Sequence, residues 1–422
     1  MTGKKQLKAR VRARMAKTGE SYTAALRHVA GRPSAGADGT WTFHGGRHPN
    51  SSTITGVLAN QGVAISEPMV FLAGGGIGAG YILWEFKHND ARHLVLGFRN
   101  QWQYPDRWTA KTLARLGVGV ETHRTSGAKG AATRLTQELD AGRPCVVLPD
   151  QYHAGYWHLP PHMDGHGGHP VIVYRRDETH VFVDDRGRAP IRVPRERMDA
   201  ARARVSSYKN VMHVLRPAEI GPERLAEAAL AGLRDCAEHL SASSDSFSLP
   251  AWRKWSRMLT DRRGAKGWPN VFADGRGLAG ALLSMWEAVE PVGTDGGNLR
   301  DLFADALDEA STPTGLPLGG VAADFRHTHA LWHDLAEAAF PTEVPEFARM
   351  RELTAALRES VAEDGAASAA DAEELWELRA AVDHKPPVDD PGALFAALAT
   401  RLAEIWEAET AAIARLRDLV AE

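Results

Sequence analysis

Cysteine is nearly absent: 422 residues hold two, Cys145 and Cys236. Two thiols so far apart in the chain make neither a disulfide framework nor a zinc signature. Long apolar runs are missing too. The longest, "MVFLAGGGIGAGYILW", is broken by Gly74, Gly75, Gly76, Gly78 and Gly80 and falls short of the roughly 18 uninterrupted apolar residues that a membrane-spanning helix needs. Neither sign of charge dominates. The formal net charge is −3, which argues against a general nucleic-acid binder. The basic opening "MTGKKQLKARVRARMAK" has no apolar h-region, so no secretory signal is expected. These absences together predict a cytoplasmic protein that keeps its thiols reduced.

What is present is an ordinary globular composition, 44% hydrophobic and 24% charged, in a chain long enough for two or three domains. Three regions separate. Residues 1–32 are basic and helix-prone, with Leu7, Val11 and Met15 at helical spacing. They fit a solvated amphipathic hairpin or a docking patch for an acidic partner. Residues 40–215 mix helix signals with short β-branched runs, "VVLPD", "HPVIVY", "HVFVDD" and "PIRVP", and predict an α+β domain with its strands late. Residues 218–422 carry the helical period almost throughout, beginning with a first-turn proline in "GPERLAEAALAGLRDCAEHL". The tryptophans of this last region are expected to be core or interface anchors.

The chemistry concentrates between residues 44 and 190. "HPNSSTITGVLANQG" has the form of a loop entering a helix, where Asn50, Ser51 and Ser52 can cap the orphan N–H groups. Further on, His169 leads one strand-like run and Asp184 and Asp185 end the next. A short connection joins the two runs, so a histidine on one strand and an aspartate on its neighbour can meet. The aspartate then fixes the imidazole tautomer. Four histidines, His158, His162, His166 and His169, fall close together and invite a metal reading, but the prolines and glycines among them break the helix that would align them. A polar rim around an active site is the better expectation. Asp150, Tyr152, Tyr156 and Trp157 follow a strand end, where loops commonly line sites. They form either a wall for a cationic or polyhydroxylated amine or a packed lid. "AGGGIGAG" mimics a dinucleotide fingerprint but follows "SEPMVFL", where Ser66, Glu67 and Pro68 resemble a helix start. It is expected to be a tight loop. Cys145 and Cys236 are expected to be buried structural thiols.

These motifs, in this order, resemble the butirosin biosynthesis protein H family. The resemblance rests on "HPNSSTITGVLANQGVAISEPMVFLAGGGIGAGYILW", "CVVLPDQYHAGYW", "GGHPVIVYRRDETHVFVDD", "VPRERMDAARA" and "FRHTHALWHDLAEA", and it covers nearly everything from residue 44 to the end. It implies an α+β, papain-like (C39 peptidase-like) domain followed by an all-helical one. It also implies acyl transfer from a carrier-protein thioester, through an enzyme cysteine, to the amine of a small natural product. Carried over by position, His169 matches the catalytic histidine and Asp185 the aspartate, with Asp184 next to it. The cysteine position falls on Pro49, which cannot attack anything.

Three readings stay open. The first is direct attack of the amine on the thioester, with His169 and Asp185 as a general-base pair and no covalent intermediate. The second is a pseudoenzyme that binds or scaffolds. The third is a hydrolase using Ser51 or Ser52. His48, Pro49, Asn50, Glu67, Asp150, Tyr152, Tyr156 and Trp157 are the substrate-facing candidates. Expected partners are an acyl carrier protein or other thioester donor and a small amine acceptor. No metal or cofactor is expected, and a homodimer is compatible with the sequence.

Overall fold

The computed structural model describes residues 34–35, 41–86, 91–293, 295–383 and 385–421. The amphipathic pattern of residues 1–32 lies outside them. Strands β1 (Ser34–Ala35) and β2 (Thr42–Phe43) pair ahead of helix α1 (Pro49–Asn60). The helix starts where the capping cluster sits, but the cap is His48, whose Nδ1 accepts the Ser51 N–H. Proline supplies the first helical residue because its φ suits that place and its missing N–H costs nothing there. This pushes the serines inside the first turn, where the Ser52 hydroxyl donates back to the Pro49 carbonyl at 3.2 Å and neither residue caps. Ser66 does cap the next helix, α2 (Glu67–Ala73), accepting the Met69 N–H. The glycine-rich run follows as a loop.

A hairpin of β3 (Tyr81–Phe86) and β4 (Ala91–Leu96) comes next, then helix α3 (Pro105–Leu116). The main sheet is built from β5 (Val120–His123), β6 (Cys145–Val147), β7 (Val171–Arg176), β8 (His180–Asp184), β9 (Ile191–Pro194) and β10 (Met212–Leu215). Its six strands run in the order β5-β10-β6-β7-β8-β9, each pair antiparallel. Helices α4 (Ala128–Asp140), α5 (Gln151–Ala154) and α6 (Arg195–Arg204) connect them. The β3–β4 hairpin and β10 were not expected from the sequence. The hairpin begins inside what reads as one apolar run.

From Pro222 onward the chain is helical: α7 (Pro222–Ser241), α8 (Pro250–Thr260), α9 (Trp268–Val271), α10 (Leu278–Val289), α11 (Arg300–Thr314), α12 (Gly319–Ala339), α13 (Pro345–Asp364), α14 (Ala369–Asp383) and α15 (Pro391–Ala421). Trp252, Trp255, Trp268 and Trp332 are fully buried, and the rings of Trp252 and Trp332 meet edge to face at 4.9 Å. Trp376 and Trp406 are half-buried. One hydrophobic cluster runs without a break from Trp41 through the sheet into α15. The molecule is of α+β class with a helical C-terminal region. No described helix is long and apolar enough to cross a membrane.

Candidate functional site

His169 and Asp185 stand just beyond the ends of paired strands. Ile172 opposes Asp184 in the β7–β8 ladder, so Asp185 falls level with Val171 and His169, two residues further out, is its diagonal neighbour. The strand begins at Val171, later than the sequence pattern suggests, because Pro170 cannot donate to the ladder. His169 Nε2–H donates to Asp185 Oδ1 at 2.7 Å. Both residues are buried. The Tyr156 hydroxyl donates to the other carboxylate oxygen at 3.0 Å, and Arg186 Nε lies 3.4 Å from Oδ1. Burial by itself would raise the Asp185 carboxyl. The contacts with His169, and then the charge of Arg186, overcome it and hold the group well below the usual carboxylate range.

Asp184 behaves in the opposite way. Its side chain turns to the other face and accepts the Trp41 indole N–H at 3.0 Å. Burial, then the neighbouring Asp185 charge, pushes it up to about 7 against the bonds from Trp41 and the backbone of Arg186 and Gly187. Asp184 therefore does not share the histidine.

With Nε2 donating to Asp185, His169 Nδ1 is the acceptor, and the Gln151 side-chain amide donates to it at 2.9 Å. Sequence reasoning missed Gln151, although its neighbour Asp150 was singled out. Asp150 is fully buried and accepts the N–H groups of His153, Gly165 and Gly167, each at 3.1 Å. It shapes the loop that carries His169 and is not among the residues lining the cleft described below. Tyr152, Tyr156 and Trp157 are absent from the cleft lining described below. Tyr156 instead supports Asp185.

The start of α1 meets His169 across an open cleft of about 180 Å³. From the α+β part it is lined by His48, Asn50, Arg99, Trp102, His169 and Tyr208, and from the helical part by Ala288, Asp295, Gly297 and Leu299. Neither Arg99 nor the helical wall carried a signal in the sequence, since loop residues have no periodicity. A second, more apolar hollow, of only about 30 Å³, shares Asn50, Pro105, Leu148 and Pro170 with the cleft.

His48 is 4% exposed, and its Nδ1 takes the Ser51 N–H at 3.3 Å. Its ring lies edge-on to Phe71 and Trp108. Burial, reinforced by Arg99, Arg186 and His169, holds its pKa well below the usual histidine value. His48 is therefore a neutral imidazole at neutral pH. Glu67 positions it: the carboxylate accepts the backbone N–H groups of Arg47 and His48, both at 2.9 Å, and the Ser51 hydroxyl at 2.9 Å. Ser51 is fully buried and Ser52 nearly so. Pro49 is buried between His48 and Asn50.

The four clustered histidines do not converge. His162 packs on Trp376, His166 faces His93, and of the four only His169 lines the cleft. The thiols lie elsewhere in the core. Burial pushes Cys145 up to about 12 and Cys236 far above the usual thiol range.

No curated protein matches the chain closely enough to count as a relative. Residues 48–186, which hold His48, His169 and Asp185, match the family model Butirosin biosynthesis protein H, N-terminal. A papain-like fold is consistent with that match, and over this segment, about a third of the chain, the protein is similar to that family.

Proposed function

We propose that this protein acts in natural-product biosynthesis, transferring an acyl group from a carrier-protein thioester to the amine of a small molecule without a covalent enzyme intermediate. The observation that carries the reading is the buried contact of His169 with Asp185 at the cleft, with no thiol within it. Asp185 holds the imidazole with its proton on Nε2, so Nδ1 is the basic nitrogen. An amine entering the cleft displaces the Gln151 amide from Nδ1 and is deprotonated there as it attacks the thioester carbonyl. The neutral His48 ring is suited to donate a hydrogen bond to the developing oxyanion, as neutral imidazoles can. Its Nε2 carries the proton, because Nδ1 is taken by the cap. The sulfur leaves as a thiol, and donor and acceptor occupy the open cleft together.

A second reading is a binding or scaffold subunit. Two observations favour it: proline stands at the nucleophile position, and Gln151 already occupies the base nitrogen. A serine hydrolase fits least, because Ser51 and Ser52 are buried and their hydroxyls are committed to Glu67 and to the Pro49 carbonyl.

The test is transfer of acyl groups from carrier-protein thioesters to a panel of amines, followed by mass spectrometry. His169→Ala is expected to abolish transfer in a folded protein. Asp185→Asn should lower it by orders of magnitude through the wrong tautomer. Full transfer by His169→Ala would refute the base. Tight amine binding with no transfer by the wild type would establish the scaffold.

A further inference from the structure

We infer that the cleft beside His169 holds an anion-binding site centred on Arg99, which takes a carboxylate or phosphate of the bound substrate. The inference relies on the acyl-transfer reading only for its choice of probes.

Arg99 is 5% exposed and lines the cleft together with His48 and His169. Its guanidinium lies 4.9 Å over the Trp108 ring. Its only acceptors among the described residues are the backbone carbonyls of Asn100, Gln101 and Trp102, at 2.9, 3.4 and 3.3 Å. A guanidinium has five N–H groups, so two have no acceptor among the described residues. Among the described residues no carboxylate lies within ion-pair distance of Arg99, whereas the fully buried Arg300 is gripped on two nitrogens by Glu409 at 2.6 and 2.8 Å, and the buried Arg186 lies 3.4 Å from Asp185. Arg202 is also buried on carbonyls, but it lines neither of the two hollows described here. A buried cation left without a contact counter-ion is costly. Here that cation faces a cavity large enough for a ligand and shares it with the proposed base. The acid that acts on Arg99 is Asp295, an exposed residue of the opposite wall, and it acts at longer range. Burial lowers the Arg99 pKa to about 9, which still leaves it cationic at neutral pH. A ligand anion that reaches the two spare N–H groups supplies the missing counter-charge.

The anion has two sources in a thioester donor: a carboxylate on the acyl group, or the phosphate of the pantetheine arm. Calorimetric titration of the full chain, without amine acceptor, distinguishes them. The probes are butyryl-pantetheine, succinyl-pantetheine and butyryl-phosphopantetheine. One charged probe is expected to bind at least about tenfold more tightly than the neutral one, the scale of a charge-assisted hydrogen bond. Preference for the succinyl probe assigns the acyl carboxylate, and preference for the phosphorylated probe assigns the arm. Arg99→Gln should erase the preference and Arg99→Lys should keep part of it. Asp295→Asn, on the far wall, should strengthen binding of the charged probe several-fold by removing the competing carboxylate. That variant decides the matter if the Arg99 variants fail to fold. Equal binding of all three probes by the wild type, an unchanged preference in Arg99→Gln, or no gain in Asp295→Asn would overturn the site. Because the readout is equilibrium binding, absence of acyl transfer leaves this result standing, and loss of anion preference leaves the His169 reading standing.

Discussion

Pro49 stands where the family resemblance places a cysteine. It sits at the first helical position with His48 as cap and with Asn50 lining the cleft. A thiol placed there gains from the helix N-terminus, which favours thiolate. Pro49→Cys is expected to cost about 1 kcal/mol or less, since a first-turn proline is favourable but dispensable. Intact-mass measurement after incubation with carrier thioesters should show an adduct at position 49 that the wild type lacks. Rapid iodoacetamide labelling with no adduct would point to the scaffold reading. Asp184 and Asp185 make a second contrast at this scale. Asp184 is pushed up to about 7, so the folded state binds its proton more tightly than the unfolded state does. Its stabilisation is complete below about pH 4 and fades as pH rises through about 7. Asp185 is shifted down, so its contribution is present above about pH 4 and lost on acidification. Asp184→Asn should therefore flatten the stability profile between about pH 4 and 7 in urea unfolding and leave the acid limb in place. An unaltered profile would show that Asp184 is ionised throughout.

Among the elements, the turn between α10 and α11 closes the cleft from the helical side. Gly296 has a φ of +80°, and a Cβ there would stand 1.9 Å from the Arg47 carbonyl and 3.3 Å from the His48 Cα. The Arg47 side chain pairs with Asp301 and Asp305 of α11, so the entry to α1 is held from both sides. Gly296→Ala forces the turn or the Arg47–His48 backbone to move. The expected result is a loss of about 1–3 kcal/mol in stability with a larger proportional loss of transfer than of fold, followed by circular dichroism alongside turnover. Transfer at the wild-type rate would show that the helical wall is passive. The α1 helix, the strands β6 to β9 and the long helices were legible in the sequence because each repeats a period. The turn at Gly296 was not, because its role lies in how close it comes to residues far away in the chain.

Across the whole molecule, one buried ion pair ties the two parts together. Arg300 and Glu409 are both fully buried, and Glu409 also accepts the indole N–H groups of Trp252 and Trp332 at 3.1 and 2.8 Å. Arg300 reaches on to the Gly78 carbonyl at 3.0 Å and to Phe98, behind the wall that carries Arg99. Glu409→Gln leaves an uncompensated charge in the core and is expected to cost about 3–5 kcal/mol in urea unfolding. Replacing both partners by apolar residues should recover much of that loss. Equal losses in the single and double variants would contradict this account. The division expected near residues 215–218 falls between β10 and α7, yet the hydrophobic core crosses it. We propose that truncation there exposes apolar surface on both sides and does not release a stable α+β unit.

Local patterning determined the α+β class with a helical C-terminal region, the buried thiols, the helix at the Pro49 cluster, and the meeting of His169 with an aspartate of the neighbouring strand, and the family resemblance put Asp185 ahead of Asp184. These depend on hydrophobic period, proline and capping chemistry, and strand pairing over short separations, all of which are written in neighbouring residues. Only the tertiary structure decided that His48 is the cap and a cleft residue, that Gln151 holds His169 Nδ1, that Asp150 serves a loop, and that Asp184 turns away. It also decided that Arg99 faces the cleft without a contacting acid and that the helical region builds the opposite wall. Those facts depend on distances between residues far apart in the chain. Side-chain burial and charge pairing are set by the packing of whole elements, and no periodicity encodes them.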